Sequence, residues 1–254
     1  MKTIALAGKG GTGKTTLSAL LIRALLRSGI RPVLAIDADP ATNLHLALGL
    51  PQPATVGDVR EDMLQAAQAQ QLGVAISRHD YLRQEVRMAL EEGEAVDLLA
   101  MGRPEGQGCY CAVNHLLRQV VDELGGSYAY VVIDNEAGME HISRRTTKDV
   151  DLLLVVTDPT VRGLKTAVSI AQMAKDVEVN VKHTLLVVNR VEGELPPELQ
   201  QAIEQSGLEL AAMIPADDAV NALDARGEAL VKLDVDSPAG QAIDDLARRI
   251  QTLI

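Results

Sequence analysis

A chain of 254 residues, 47% of them hydrophobic, is long enough to bury the core of one α/β domain spanning 1–254, whereas two domains would each be small. With no Phe, no Trp and four Tyr, that core must be assembled from Leu, Val, Ile, Ala and Met, which suits aliphatic strands between helices. A formal net charge of −11 repels phosphate backbones and anionic headgroups, which argues against nucleic acid and membrane as partners.

The first apolar run, Thr3 to Ala7, reads as a strand and leads into Gly8-Lys9-Gly10-Gly11-Thr12-Gly13-Lys14-Thr15-Thr16. Leu17, Leu20, Leu21, Ala24 and Leu25 then recur at helical spacing, with Gly29 as the stop. A glycine-rich loop between a strand and a helix is the setting of a phosphate-binding loop. Gly8, Gly10, Gly11 and Gly13 let the backbone turn its N–H groups onto phosphate oxygens, and the helix N-terminus adds a favourable dipole. Lys14 is placed to reach the β- and γ-phosphates and the Thr15 hydroxyl to ligate Mg²⁺, with Thr12 and Thr16 completing the loop.

Further aliphatic runs follow at Val33 to Ile36, Val96 to Ala100, Tyr130 to Ile133, Leu152 to Val156 and Thr184 to Val188. Each is nearly continuous in apolar residues, the pattern of strands buried on both faces of a parallel sheet. Amphipathic helices alternate with them, predicting a doubly wound, mostly parallel sheet flanked by helices, with ligands at the carboxyl ends of its strands. The stretch from Asp58 to Glu94, rich in Gln, Ala, Glu and Arg, reads as helices added at the edge of that core. Arg144, Arg145 and Lys148 form too small a basic cluster for a polyanion platform. The last helix, Pro238 to Ile254, is expected to pack its apolar side on the domain. No apolar stretch is long enough to span a bilayer, so the chain reads as soluble and cytoplasmic.

Lys9, at the second position of the loop, resembles the deviant Walker A of the MinD, ParA, ArsA and nitrogenase-iron-protein class of P-loop ATPases. That resemblance implies ATP as ligand and a homodimer in which Lys9 crosses the interface to the partner's nucleotide, supplying positive charge in trans. It also assigns Asp37-Ala38-Asp39-Pro40 to the first switch, with Asp39 positioning the attacking water and Asp37 supporting the Mg²⁺ shell. Asp134-Asn135-Glu136-Ala137-Gly138 resembles the second switch, with Asp134 the Walker B-like carboxylate and Gly138 a γ-phosphate sensor. Asn189-Arg190 is similar to the adenine-side segment of the family, and Pro215 with Asp217 to the stretch that closes over the base. Glu192 stands where a guanine-reading motif would need an aspartate, which favours ATP over GTP.

The two cysteines, Cys109 and Cys111, lie beyond the strand Val96 to Ala100 and open a helix read from Ala112 to Leu124. In an extended segment residues two apart point to one side, and a helix N-terminus favours thiolate. Two sulfurs cannot complete a metal site, but a two-fold axis passing beside them supplies four, enough for tetrahedral Zn²⁺ or square-planar Ni²⁺. His115, one turn further on, is a possible accessory ligand. With the deviant loop, the pair resembles the CooC-type ATPases that assist nickel insertion into carbon monoxide dehydrogenase, and relatives serving acetyl-CoA synthase. The resemblance implies metal delivery to a nickel enzyme client, coupled to ATP hydrolysis. Two rivals stand beside it. An iron-sulfur electron-transfer protein like nitrogenase iron protein would want a further cysteine near Asp149-Val150-Asp151, where none occurs. A MinD- or ParA-like positioning ATPase would need a membrane-binding tail or a basic surface, and neither is evident.

Overall fold

The computed structural model describes residues 1–59, 61–62, 87–102, 125–137, 149–176 and 180–254. Seven strands, β1 (Lys2–Gly8), β2 (Val33–Ala38), β3 (Val96–Ala100), β4 (Tyr130–Asn135), β5 (Asp149–Thr157), β6 (Asn180–Val191) and β7 (Glu209–Pro215), form one sheet. Their order is β3-β2-β4-β1-β5-β6-β7, and every neighbouring pair is parallel. The described helices are α1 (Lys14–Arg27), α2 (Leu44–Leu48), α3 (Val161–Asp176), α4 (Pro197–Ser206), α5 (Asp218–Ala225) and α6 (Pro238–Leu253).

The continuous apolar runs have the expected consequence: β2 and β4 are buried along their whole length, and β1 at every residue after Lys2. Alternate side chains feed two cores. On one face Ile4, Leu6, Val33, Ala35, Leu152 and Leu154 meet Leu17, Leu20, Leu21 and Leu25 of α1 and Ile243, Leu246 and Ile250 of α6. On the other, Ala5, Ala7, Leu34, Ile36, Leu153 and Val155 meet Leu164, Ala167 and Ile170 of α3 and Leu199 and Ile203 of α4. Burying each such Leu or Ile contributes about 1.5–3 kcal/mol, so the two layers hold the sheet rigid beneath its loops.

Two strand readings are extended by the structure. β6 runs well past Thr184 to Val188 at both ends, and β7 is a strand the apolar runs did not announce. Within β7 only Ile214 is buried: β3, at the other edge, is covered by the bridges of Thr55 and Glu91, whereas β7 is paired with β6 alone, and its sequence lacks a continuous apolar stretch. α6 packs its apolar side on α1 and β7, as expected. Most of the stretch from Asp58 to Glu94, and all of that from Ala112 to Leu124, lie outside the described residues. No helix among the described residues is long and apolar enough to cross a membrane.

Candidate nucleotide site

Three strands that are neighbours in the sheet, β2, β4 and β1, end side by side. Their carboxyl ends bring together the loop Gly8 to Thr16, the segment Asp37 to Pro40 and the segment Asp134 to Ala137. Registers that pair Asp134 with Leu6 on one side and with Asp37 on the other put the two buried aspartates next to each other.

The loop is shaped by what its glycines exclude. A Cβ on Gly8 would sit 2.3 Å from the Val156 carbonyl oxygen, and one on Gly13 would sit 2.5 Å from Asn189 Nδ2. Gly13, at φ +86°, is also the residue that turns the chain into α1. Thr12 Oγ1 donates to the Lys9 carbonyl at 2.9 Å and Lys14 Nζ donates to the same oxygen at 3.3 Å. The Lys9 carbonyl therefore faces inward, while Lys9 as a residue is exposed. Lys14 is the opposite case, only 8% exposed. Burial pulls its ammonium below the usual lysine range, and the negative charges of Asp134, Asp39 and Glu136, in that order, pull it back up.

Asp134 is as deeply enclosed as Asp37. Its Oδ1 accepts from Ser18 Oγ at 3.2 Å, while Oδ2 is buried with no hydrogen-bond partner among the described residues. Burial pushes its carboxyl up to about 6, against the Thr15 and Ser18 hydroxyls and the Lys14 charge, which hold it down. Asp37 accepts from the backbone N–H of Leu44 at 2.9 Å and of Asp39 at 3.0 Å, which ties the segment Asp37 to Pro40 to the start of α2. Burial pushes it up to about 7, the Leu44 bond opposing and the Asp134 charge assisting. Two adjacent, desolvated carboxylates with one orphaned oxygen are a donor set short of a cation. Mg²⁺ fits it: that ion takes one or two carboxylates and completes its shell from water and phosphate oxygens. Among the described residues no group of three or more acidic, His or Cys side chains could hold a metal by itself. Asp39 is half-buried and accepts from Ala41 N at 2.8 Å, at the edge of the Lys14 pocket.

A second cavity, of about 140 Å³, opens beside the loop and is lined by Thr16, Leu17, Asn189, Arg190, Glu192 and Pro215, among others. The segment after β6 grips the loop directly: Asn189 Nδ2 donates to the Thr12 carbonyl at 2.8 Å, and Arg190 NH1 donates to that of Gly11 at 3.1 Å. Arg190 adopts φ +59°, a left-handed conformation uncommon for a side-chain-bearing residue, to make that turn. Asp217 lines the cavity with both carboxylate oxygens engaged. Oδ1 caps α5 through Ala219 N at 2.8 Å, and Oδ2 accepts from Ser237 Oγ at 2.6 Å and Ala239 N at 3.1 Å at the start of α6. Its contribution is to shape the wall. Asn221 and Asp224, which also line the cavity, were not singled out from the sequence, although their three-residue spacing after Pro215 marks one helix face. Ser18, four residues beyond Lys14, was missed likewise. Cys109, Cys111, His115, Gly138, Arg144, Arg145 and Lys148 lie outside the described residues.

One family description, the CobQ/CobB/MinD/ParA nucleotide-binding domain, matches the chain over residues 3–241. The chain belongs to this family. It is a P-loop ATPase that binds ATP with Mg²⁺. An uncharacterized ATP-binding protein of Methanocaldococcus jannaschii is 40% identical over 247 residues, covering 97% of each chain. The carbon monoxide dehydrogenase accessory protein CooC of Rhodospirillum rubrum is 33% identical over 234 residues, covering 88% of this chain and 87% of its own. Among solved structures, the cell division ATPase MinD of Pyrococcus furiosus superposes with a TM-score of 0.73 at 27% identity, covering 100% of this chain and 99% of its own.

Proposed function

We propose that the chain is a homodimeric cytoplasmic ATPase that delivers nickel to a client enzyme of the carbon monoxide dehydrogenase or acetyl-CoA synthase kind. The observation that carries this reading is the pair Cys109 and Cys111 in a chain whose loop also carries the exposed Lys9. The likeness to CooC over most of both chains supports it. In this reading Lys14 and the loop N–H groups hold the phosphates, Thr15 with Asp37 and Asp134 serves Mg²⁺, and Asp39 orients the attacking water. Gly138 reports the γ-phosphate, and Asn189, Arg190, Pro215 and Asp217 form the base side. Lys9 completes the partner's site, so ATP draws two chains together. The same two-fold axis then sets two cysteine pairs around one cargo ion, Ni²⁺ or Zn²⁺.

Metal titration of the full chain tests this. The expected result is about one Ni²⁺ or Zn²⁺ per dimer in a four-sulfur shell, lost in Cys109→Ser and in Cys111→Ser while ATP binding persists. A two-sulfur shell on a monomer would refute the shared site. An iron-sulfur absorption spectrum after anaerobic reconstitution would replace cargo delivery with electron transfer. The second reading is a positioning ATPase, favoured by the likeness to MinD across the whole chain. Binding of the ATP form to anionic vesicles with no metal uptake would select it. The apolar side of α6 is already buried against α1 and β7, so that helix is not available for the task.

A further inference from the structure

Leu210 and Met213 lie three residues apart on β7, a separation that in a regular strand puts side chains on opposite faces. The register removes that difference. Leu210 pairs with Leu186 and Met213 with Val188, while Val187 pairs with Ala212, so Ala211 is one extra residue in β7. Leu186 and Val188 belong to the core beneath α3 and α4, and Leu210 packs against it, so the bulge returns Met213 to that same face. Ala211 and Ala212 pack on the opposite core. Arg249 of α6 pins the irregularity, donating to the Leu210 carbonyl at 3.1 Å and to that of Ala211 at 2.8 Å.

On the α4 side, Leu210 and Met213 join Leu195, Ile203 and Leu208 in lining a cavity of about 620 Å³ at the outer edge of the sheet. Leu195 and Ile203 are buried, whereas Met213 is 50% exposed. That volume falls within the range of about 300–1,000 Å³ that takes up a ligand, and is room for several side chains. A half-exposed methionine adapts to irregular apolar partners. The charged lining has one sign: Glu194 and Glu204 are there, and no Lys or Arg. Both carboxylates are exposed, and neither has a hydrogen bond or ion pair among the described residues. Gln200 is already engaged, its Nε2 donating to the Leu195 carbonyl at 2.7 Å.

A carboxylate accepts hydrogen bonds and cannot donate them, so the occupant must bring donors beside its apolar groups. The net charge of −11 favours cationic ones. Glu194 follows β6 and Glu204 belongs to α4, so a chain with two cations meets both where a single amine meets one. Arg249 holds two carbonyls of β7, so recognition there falls to side chains rather than to an added strand.

We propose that this cavity docks a peptide segment of a partner protein in which apolar side chains stand beside Lys or Arg. The apolar groups fill the space over Leu210 and Met213, and the cations meet Glu194 and Glu204. The proposal is independent of nickel and of the assignments around Lys14.

Fluorescence anisotropy with the full chain tests it, using three labelled peptides of equal length: leucine alternating with lysine, leucine with glutamate, and serine with lysine. Only the leucine–lysine peptide is expected to bind, and added salt should weaken it. Glu194→Gln combined with Glu204→Gln should weaken it about tenfold, the scale of two exposed ion pairs. Met213→Lys, which sets a cation into the apolar space, should abolish binding, and Met213→Ser tests the same contact if the lysine disturbs the sheet edge. ATP hydrolysis should stay at the wild-type rate in these variants, which reports that they are folded. Equal affinity in wild type and variants would mean diffuse attraction to an acidic surface and would overturn the site. Absence of binding by the leucine–lysine peptide, or equal binding by either of the other two, would overturn it as well. Met213-dependent binding of decylammonium without binding of the peptide would make the cavity a small-cation site and reject the docking role.

Discussion

At the scale of single residues the site is a set of costs held in place by the fold, and Asp134 shows how to measure one. Its carboxyl is neutral more readily in the native protein than in the unfolded chain, about 6 against an ordinary 3.8, chiefly because of burial. Below pH ~4 the group is protonated in both states and contributes nothing. As pH rises from there through about 6, the unfolded chain ionises first, so the nucleotide-free protein loses stability across that window. Asp37 has the same sign and extends the window to about 7. Asp134→Asn is therefore expected to raise the thermal midpoint of the nucleotide-free protein near pH 8 and leave it unchanged near pH 4, by scanning calorimetry. A lowered midpoint at pH 8 would contradict the sign. Mg²⁺ affinity should fall in the same variant. The phosphate loop was legible in the sequence because its glycines, Lys14 and Thr15 form one contiguous run. The contacts that brace it were not. Asn189 reaches Thr12, and Ser18 reaches Asp134, across separations that no local pattern encodes.

Among elements, six strands were readable as aliphatic runs because burial on both faces removes any need for alternation. β7 escaped because, unlike the other edge strand β3, to which Thr55 and Glu91 bridge, it has little burial to write into its sequence. The cavity beside the phosphate loop depends on that edge. β7 ends at Pro215, and Asp217 then joins the N-termini of α5 and α6 with one carboxylate. Burial opposes ionisation of Asp217, but bonds from Ser237, Ala239 and Ala219 outweigh it and hold the group below its ordinary range. Its contribution to stability is thus present above the ordinary aspartate range and is lost as pH falls through the folded value. Asp217→Ala removes the cap of α5 and the tie to α6 together. The expected loss is about 1–2 kcal/mol of unfolding free energy in a denaturant titration at pH 7, in the range of a lost helix cap. KM for ATP should rise with kcat nearly unchanged, because the wall of the base cavity loosens while the Lys14 pocket stays intact. A fall in kcat at constant KM would place Asp217 in the chemistry instead.

For the whole molecule, the sheet order is what no reading of separate runs supplies. Placing β1 between β4 and β5 brings the loop, the segments after β2 and β4 and the Asn189 segment to the carboxyl ends of the strands, with Lys9 exposed there while Lys14 is buried. The Lys9 carbonyl accepts from Thr12 and Lys14 while the residue itself is exposed, and in the proposed dimer Lys9 serves the neighbouring chain. If that neighbour is a second copy, ATP with Mg²⁺ should convert monomer to dimer in light scattering. Lys9→Ala should dimerise more weakly and retain nucleotide binding. Its hydrolysis should fall by about 10³-fold or more, the scale of a lost finger cation. The decisive form of the experiment mixes two inactive variants. A Lys9→Ala chain keeps its own Lys14 but lacks the cation it should give its partner, whereas a Lys14→Ala chain has a dead site but an intact Lys9. In a mixed dimer the Lys9→Ala chain receives Lys9 from its partner, so one of the two sites is complete and turnover returns to a fraction of wild type. A lysine acting within its own chain gives no recovery at any mixing ratio, because each chain then lacks a residue that its partner cannot supply.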